Sequence, residues 1–300
     1  ADLLAAFPPQ MQSQQADAIA HLRLRGEIIA TKLANRIINR LGLVHPFELA
    51  EEEGCALADM AGAFVVADRL FGVGALWDEV DATDMPETGR LTLLHLIAEA
   101  MRQHMASILR EFPAGFAPGD AVERLRGEVA RLNDDVDSIL TEALLLRAAT
   151  MEDELELLGV PGHLAQRVSH LHELEGIIGT ASLSTRMNGD VMDITRALVR
   201  VGDAAGIHWL QEAAARLEPS DPWERQLLSG ISRDMQRVRL DLIARLGPQD
   251  LDAQVDRWLD QQDARVRQFR HQLSRAQNAA IPSVAMLAEL ASQVRVLLSR

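Results

Sequence analysis

Tyrosine is absent from this chain, cysteine and lysine occur once each, and aromatic residues amount to only 4%. Each shortage excludes something. A single cysteine, Cys55, rules out an internal disulfide framework and fits a reducing cytosol, so a cytoplasmic location is expected. Cys55 itself reads as a small buried hydrophobe or helix-start residue rather than a reactive thiol, because no cation or histidine neighbours it in sequence. Positive charge is also scarce: the net charge is −14 with a pI near 5.1, which repels polyanions and argues against a nucleic-acid partner. No stretch reaches the roughly 18 apolar residues of a membrane span, since Asp59, Asp68 and Arg69 interrupt the most hydrophobic one. No basic, Trp-rich amphipathic face suggests surface insertion either, so no membrane partner is expected. The start, Ala1-Asp2-Leu3-Leu4, has neither an initiator Met nor a basic leader, and reads as a cut inside a longer polypeptide.

What is present is helix. Apolar residues make up 48% of 300 positions, enough for one large core or two smaller ones. They recur at helical spacing between dense punctuation marks: Gly42, Gly54 and Gly72 at expected C-caps, Pro46 in a first turn, and Pro86 opening a helix after Asp84. No run alternates β-branched and polar residues. The fold class is therefore all-α, a multi-helix bundle. Val122, Leu125, Val129, Leu132, Val136, Ile139, Ala143 and Leu146 alternate by three and four. That seam predicts one helix over 119–149, about 45 Å long at 1.5 Å per residue. Leu251, Val255, Trp258, Gln262, Val266, Phe269 and Leu273 predict a second over 250–278, antiparallel to the first.

The two seams point to an internal repeat. At an offset of 134 residues, Gly42, Asp59, Ala63, Val65, Gly72, Leu76, Leu93, Leu94, Ile97 and Met101 fall on Gly176, Asp193, Ala197, Val199, Gly206, Leu210, Leu227, Leu228, Ile231 and Met235 without a gap. The expected organisation is a connector over 1–25 and two similar helical halves, 26–158 and 159–300.

Residue types able to carry chemistry are present, but not in the required patterns. Gly72-Val73-Gly74 has Trp77 at the third glycine position of a phosphate-binding fingerprint and no strand before it, and reads as a helix stop. Lys32 lies in a helix interior. His170, His172, Glu173 and Glu175 cluster, but residues two apart point to different helix faces, so a solvated helix end is expected rather than a metal site. His95, His104 and His208 read as partly buried, hydrogen-bonded histidines. Ser107, Ser138, Ser182 and Ser184 lack a nucleophile-elbow context. Asp134–Asp135 and Glu51–Glu53 read as solvated faces. No catalytic, cofactor-binding or metal-binding residue is assigned. Asn35 and Asn39 are the exception to this bland reading. They lie one turn apart among Leu33, Ile37, Ile38 and Leu41, and each costs about 0.5 kcal/mol in a helix interior relative to Ala. They form a candidate interface, the alternative being simple exposure.

Several stretches resemble the helical C-terminal region of the large bacterial NAD-specific glutamate dehydrogenases. They are Phe7-Pro8-Pro9-Gln10-Met11, Arg25 to Thr31, Leu33 to Gly42, Ala63 to Trp77, Leu158-Gly159-Val160-Pro161 with Leu164 to Arg167, Gly206 to Leu210, and Asp221-Pro222-Trp223. The likeness covers about residues 7 to 245, and Ile177 to Asn188 is more polar and glycine-bearing than the family pattern. The resemblance implies a parent enzyme that converts L-glutamate and NAD to 2-oxoglutarate, ammonia and NADH as a homo-oligomer, with its NAD and glutamate sites before Ala1. This stretch is then a non-catalytic scaffold packed on the catalytic domain of the same polypeptide. Alternatives are a regulatory module with a small-molecule pocket between the halves, and a helical interaction domain unrelated to dehydrogenases.

Overall fold

The computed structural model describes residues 3–174, 176–261, 263–278 and 282–299. Among them are seventeen α-helices and no strand. After a 3₁₀ turn at Leu4–Ala6 come α1 (Pro9–Gln14), α2 (Ala16–Ala20), α3 (Arg25–Leu41), α4 (His45–Glu53), α5 (Leu57–Phe71), α6 (Val73–Ala82), α7 (Glu87–Glu111) and α8 (Pro118–Asp134). The chain continues through α9 (Glu142–Leu157), α10 (Gly162–Glu173), α11 (Ile177–Met187), α12 (Val191–Ala204), α13 (Ile207–Arg216) and α14 (Pro222–Leu246). It ends with α15 (Leu251–Gln261), α16 (Asp263–Gln277) and α17 (Val284–Leu298).

The all-α class is as expected, but the long helix over 119–149 is not formed. Asn133, Asp134 and Asp135 are consecutive residues whose side chains compete for backbone hydrogen bonds. The backbone leaves the helix at Asp135 (φ −140, ψ 48), and Ser138 Oγ donates to Asp135 O at 3.0 Å. A 3₁₀ turn at Val136–Ser138 then redirects the chain. Val136 and Ile139 stay buried, so the seam still faces the core while the helix axis changes. Over 250–278 the described residues are helical on both sides of position 262, as α15 and α16. Of the seam there, Leu251, Val255, Trp258, Val266, Phe269 and Leu273 are buried; Gln262, like Glu175, lies outside the described residues.

Two apolar clusters form the core. The first is centred on Phe64, Trp77, Leu93, Ile97, Met101, Leu125 and Leu164, with Phe64 and Trp77 stacked at 6.2 Å between centroids. The second gathers Ile194, Leu198, Ile207, Leu210, Met235, Ile243, Val255, Leu287 and Val294. By packing, α10 belongs with the first cluster and the division falls inside α11. Ile177, Ile178 and Ala181 lie in the first cluster and Leu183 in the second. Every residue of α11 from Ile177 to Ser184 is buried. Its small residues, Gly179, Thr180, Ala181, Ser182 and Ser184, explain the unusual composition of this segment: they let α7, α8, α12 and α14 approach it from all sides. A Cβ at Gly179 would sit 2.7 Å from Leu240 Cδ1.

Helix limits recur at the repeat spacing. α6 and α13 have the same length, 10 residues, and begin at Val73 and Ile207 (207 − 73 = 134). α7 and α14 both run 25 residues. Gly72 and Gly206 stop the preceding helices in the same left-handed conformation, φ 65, ψ 27 and φ 61, ψ 26. The neighbours recur too: α4 packs on α5 and α7 as α11 does on α12 and α14, and α5 packs on α6, α7 and α8 as α12 does on α13, α14 and α15.

No single helix among the described residues is long and apolar enough to cross a membrane. α5 and α6 are so only together, and they bend by 73° at Gly72 with Phe64, Val66, Val73, Trp77 and Val80 buried in the first cluster.

Candidate interface and the cleft between the cores

Asn35 and Asn39 sit on the outer face of α3. Ile37 and Leu41 turn inward, whereas both asparagines are exposed. Arg36 and Arg40 clamp the helix to its support: Arg36 pairs with Asp68 at 3.2 Å, and Arg40 with Asp81 at 2.8 Å. At the corner where α3 meets α4, Ile38, Leu43, Val44 and Phe47 are between 40% and 63% exposed. Apolar exposure concentrated in one place marks a docking surface more often than scattered leucines do. The structure thus sets the two candidate asparagines beside an apolar corner that periodicity alone did not pick out.

The other candidates disperse. Lys32 is exposed on α3. Gly74 N donates to Asp68 Oδ1 at 2.7 Å, which ties the Gly72-Val73-Gly74 turn to α5. Cys55 is half-buried, and burial raises its thiol pKa. His104 is fully buried, stacked on Phe71 at 3.9 Å, with Nε2 donating to Leu171 O at 3.0 Å; burial lowers its pKa to about 4. His95 is exposed rather than partly buried. The supposed solvated end at His170–Glu173 is in part an interior. His172 is sheltered, with Nε2 bonded to Leu96 O at 3.0 Å and its pKa lowered by burial. Glu173 is 2% exposed at its side chain and takes a two-pronged clamp from Arg147, at 2.7 and 2.8 Å. Burial raises the Glu173 pKa and Arg147 opposes the shift.

Glu51–Glu53 needs the same correction. Glu52 and Glu53 are buried at their side chains, because Arg102 and Arg110 on α7 reach them. Arg110 Nε donates to Glu53 Oε2 at 3.0 Å. Arg233 on α14 donates to Glu52 O at 3.0 Å, and Arg225, also on α14, pairs with Glu48 at 3.0 Å. These partners lie 50 or more positions away in sequence, beyond any local pattern.

Between the two apolar cores runs a cleft of about 610 Å³ lined by residues of α7, α9, α10, α11, α12, α13 and α14. Its polar lining includes Glu99, Arg147, Glu173, His208, Glu212 and Arg239. His208 is held neutral, its pKa lowered to about 3 by burial and by Arg239. Arg239 is itself buried and donates to Gln211 Oε1 at 3.3 Å. A neighbouring cavity of about 540 Å³ shares Glu99, Gln103 and Ser232 with the first. Among the described residues no group of three or more His, Cys, Asp or Glu could hold a metal ion.

Fold and site together define an all-helical domain whose buried charges are spent on packing and whose polar openings lie between its two cores. A family model described as glutamate dehydrogenase, C-terminal, matches residues 1–295, and the chain belongs to that family. The match takes in the last fifty or so residues, which the sequence resemblance had left unassigned. Three curated relatives are each called NAD-specific glutamate dehydrogenase. The Halomonas elongata protein is 25% identical over 274 residues, covering 89% of this chain and 17% of that protein. The Pseudomonas aeruginosa protein is 26% identical over 301 aligned residues (96% and 18%), and the Mycobacterium tuberculosis protein 27% over 304 (96% and 18%). The chain thus spans less than a fifth of the length of these relatives.

Proposed function

We propose that this chain is a non-catalytic helical scaffold of an NAD-dependent glutamate dehydrogenase polypeptide, packed against the catalytic domain in a cytoplasmic homo-oligomer. NAD and glutamate are handled elsewhere in that polypeptide. The observation that carries this reading is the outer face of α3 and the α3–α4 corner, where Asn35 and Asn39 stand beside exposed Ile38, Leu43, Val44 and Phe47. The matched helix limits and matched neighbours support a further part of the reading, that 26–158 and 159–300 descend from one duplicated unit. The test uses the full polypeptide. Replacing both asparagines by Ala and Phe47 by Ser is expected to leave this domain folded by circular dichroism but to release it from the catalytic portion after limited proteolysis. Retention of the complex, or glutamate turnover by this chain alone, refutes the reading.

The cleft favours a second reading, a regulatory small-molecule site between the halves. Its volume falls in the range of ligand pockets, and charged groups from both halves line it. A thermal-shift screen with amino acids, dicarboxylates and nucleotides tests it: ligand at 100 times its dissociation constant stabilises by about 2.7 kcal/mol.

A further inference from the structure

The outer face of α16 departs from the acidic character of the rest of the chain. From Ala264 to Ala288 the sequence holds four arginines and a histidine and no carboxylate, in a chain of net charge −14. Val266, Phe269, Leu273 and Ala276 are buried, and their three-and-four spacing turns one face of α16 inward, toward α17. The opposite face presents Arg267, His271 and Arg275 one turn apart in a row, with Arg265 and Arg270 beside them, all exposed. Arg270 Nε bonds a backbone oxygen, that of Ala204, at 3.1 Å. Among the described residues Arg265, Arg270, His271 and Arg275 make no ion pair.

The complement stands on α9. Leu157 is 87% exposed and Leu146 69%, and eleven positions bring a helix back to nearly the same face. Thr150 and Asp153 lie along the line between them, with Glu142 and Glu156 at its edges, all exposed. Glu142, Asp153 and Glu156 make no ion pair among the described residues. The inner face of α9 is covered mainly by α10, so this acidic and apolar outer stripe stands open. The two elements also match in length: 16 and 15 residues give about 24 and 22 Å at 1.5 Å per residue.

We propose that the basic face of α16 in one copy docks along the outer stripe of α9 in a second copy. The proposal rests on the homo-oligomer in the reading above and names its contact. Two copies of a chain with net charge −14 repel over most of their surfaces, so they meet at least cost where the sign reverses, and α16 is such a place. Arginine stems also cover exposed leucines well. Because each copy carries both surfaces at different sites, the contact is head-to-tail and closes into a ring if the rotation permits.

Sedimentation equilibrium of the 300-residue chain tests this, with the upstream polypeptide absent so that the α3 reading is not in play. The expected result is concentration-dependent association that weakens as salt is raised, since the contact is between exposed charges. His271→Glu with Arg275→Glu should weaken association about tenfold or more, with the melting temperature little changed because both are exposed. Asp153→Arg with Glu156→Arg should do the same. Mixing the two variants should restore pairing between them, because the unaltered α16 of one meets the unaltered α9 of the other, and the reversed α16 meets the reversed α9. A monomer at every concentration at low salt, association indifferent to the α16 changes, or no recovery on mixing overturns the proposal. So does loss of association on altering the α3 face instead.

Discussion

Lowering the pH should unlock the first core through His104. The side chain is fully buried between α7 and α10, donates from Nε2 to Leu171 O, stacks on Phe71, and has no partner at Nδ1 among the described residues. A second proton at Nδ1 would therefore place a positive charge in an apolar interior with nothing to receive it. Burial lowers the folded pKa to about 4 from 6.5. For a histidine depressed in the folded state, the unfolded chain takes up the proton first. The associated stability is present above pH 6.5 and is lost as pH falls toward 4. At about 1.36 kcal/mol per pKa unit, the loss is about 2 kcal/mol by pH 5 and about 3 kcal/mol by pH 4. The measurement is urea unfolding of the wild type and of His104→Gln from pH 7.5 to 4. Gln keeps a donor for Leu171 O but cannot charge, and loses the ring stack, so it is the less stable protein at pH 7.5. The stability difference should then shrink by about 3 kcal/mol on acidification. His208 and the buried carboxylates titrate in both proteins and cancel. A difference that stays constant with pH would refute the argument.

Three other outcomes follow from local geometry. Gly72→Ala and Gly206→Ala place the same strain of about 1 kcal/mol in a left-handed position, but Leu273 Cδ2 occupies the space a Cβ at Gly206 would need, whereas nothing lies within 4 Å at Gly72. The Gly206 variant should melt several degrees below the Gly72 variant, and equal melting temperatures would contradict the contact. Glu173→Gln should cost about 1.5 kcal/mol, because it strips a half-exposed Arg147 of the carboxylate that meets it at 2.7 Å; a loss under about 0.5 kcal/mol in denaturant titration would remove the clamp from the account. Asp190 caps α12 by accepting from the Met192 and Asp193 amides at 2.9 and 3.3 Å. Asp190→Ala should therefore cost about 1 kcal/mol, read from the same titration, with Asp190→Asn recovering most of it.

Where the sequence was legible, the signal was local. Gly72 and Gly206 end helices because a left-handed residue without a Cβ is needed there, and that requirement is written in a single position. The seam from Val122 to Ile139 also names buried residues correctly, since periodicity records which face points inward. It does not record the helix axis, so the turn at Asp135 passed unnoticed: Val136 and Ile139 reach the same core from a redirected backbone. The charged interior was hidden for a different reason. Glu52 and Glu53 look like any acidic helix face until Arg102, Arg110 and Arg233 arrive from distant helices. Of the candidate interface, Asn35 and Asn39 were visible as polar intrusions in an apolar helix. The apolar corner at Leu43, Val44 and Phe47 was not, because an exposed leucine and a buried one read alike in sequence.

α11 has a thermodynamic consequence for the chain as a whole. One helix gives Ile177, Ile178 and Ala181 to the first core and Leu183 to the second, so neither core can melt without stripping a wall from the other. Two separate hydrophobic clusters would ordinarily yield two calorimetric transitions. Here they are expected to share one, with calorimetric and van't Hoff enthalpies in agreement. The chain then resists division: a fragment ending before α11 leaves the first core open, and one beginning after it does the same to the second.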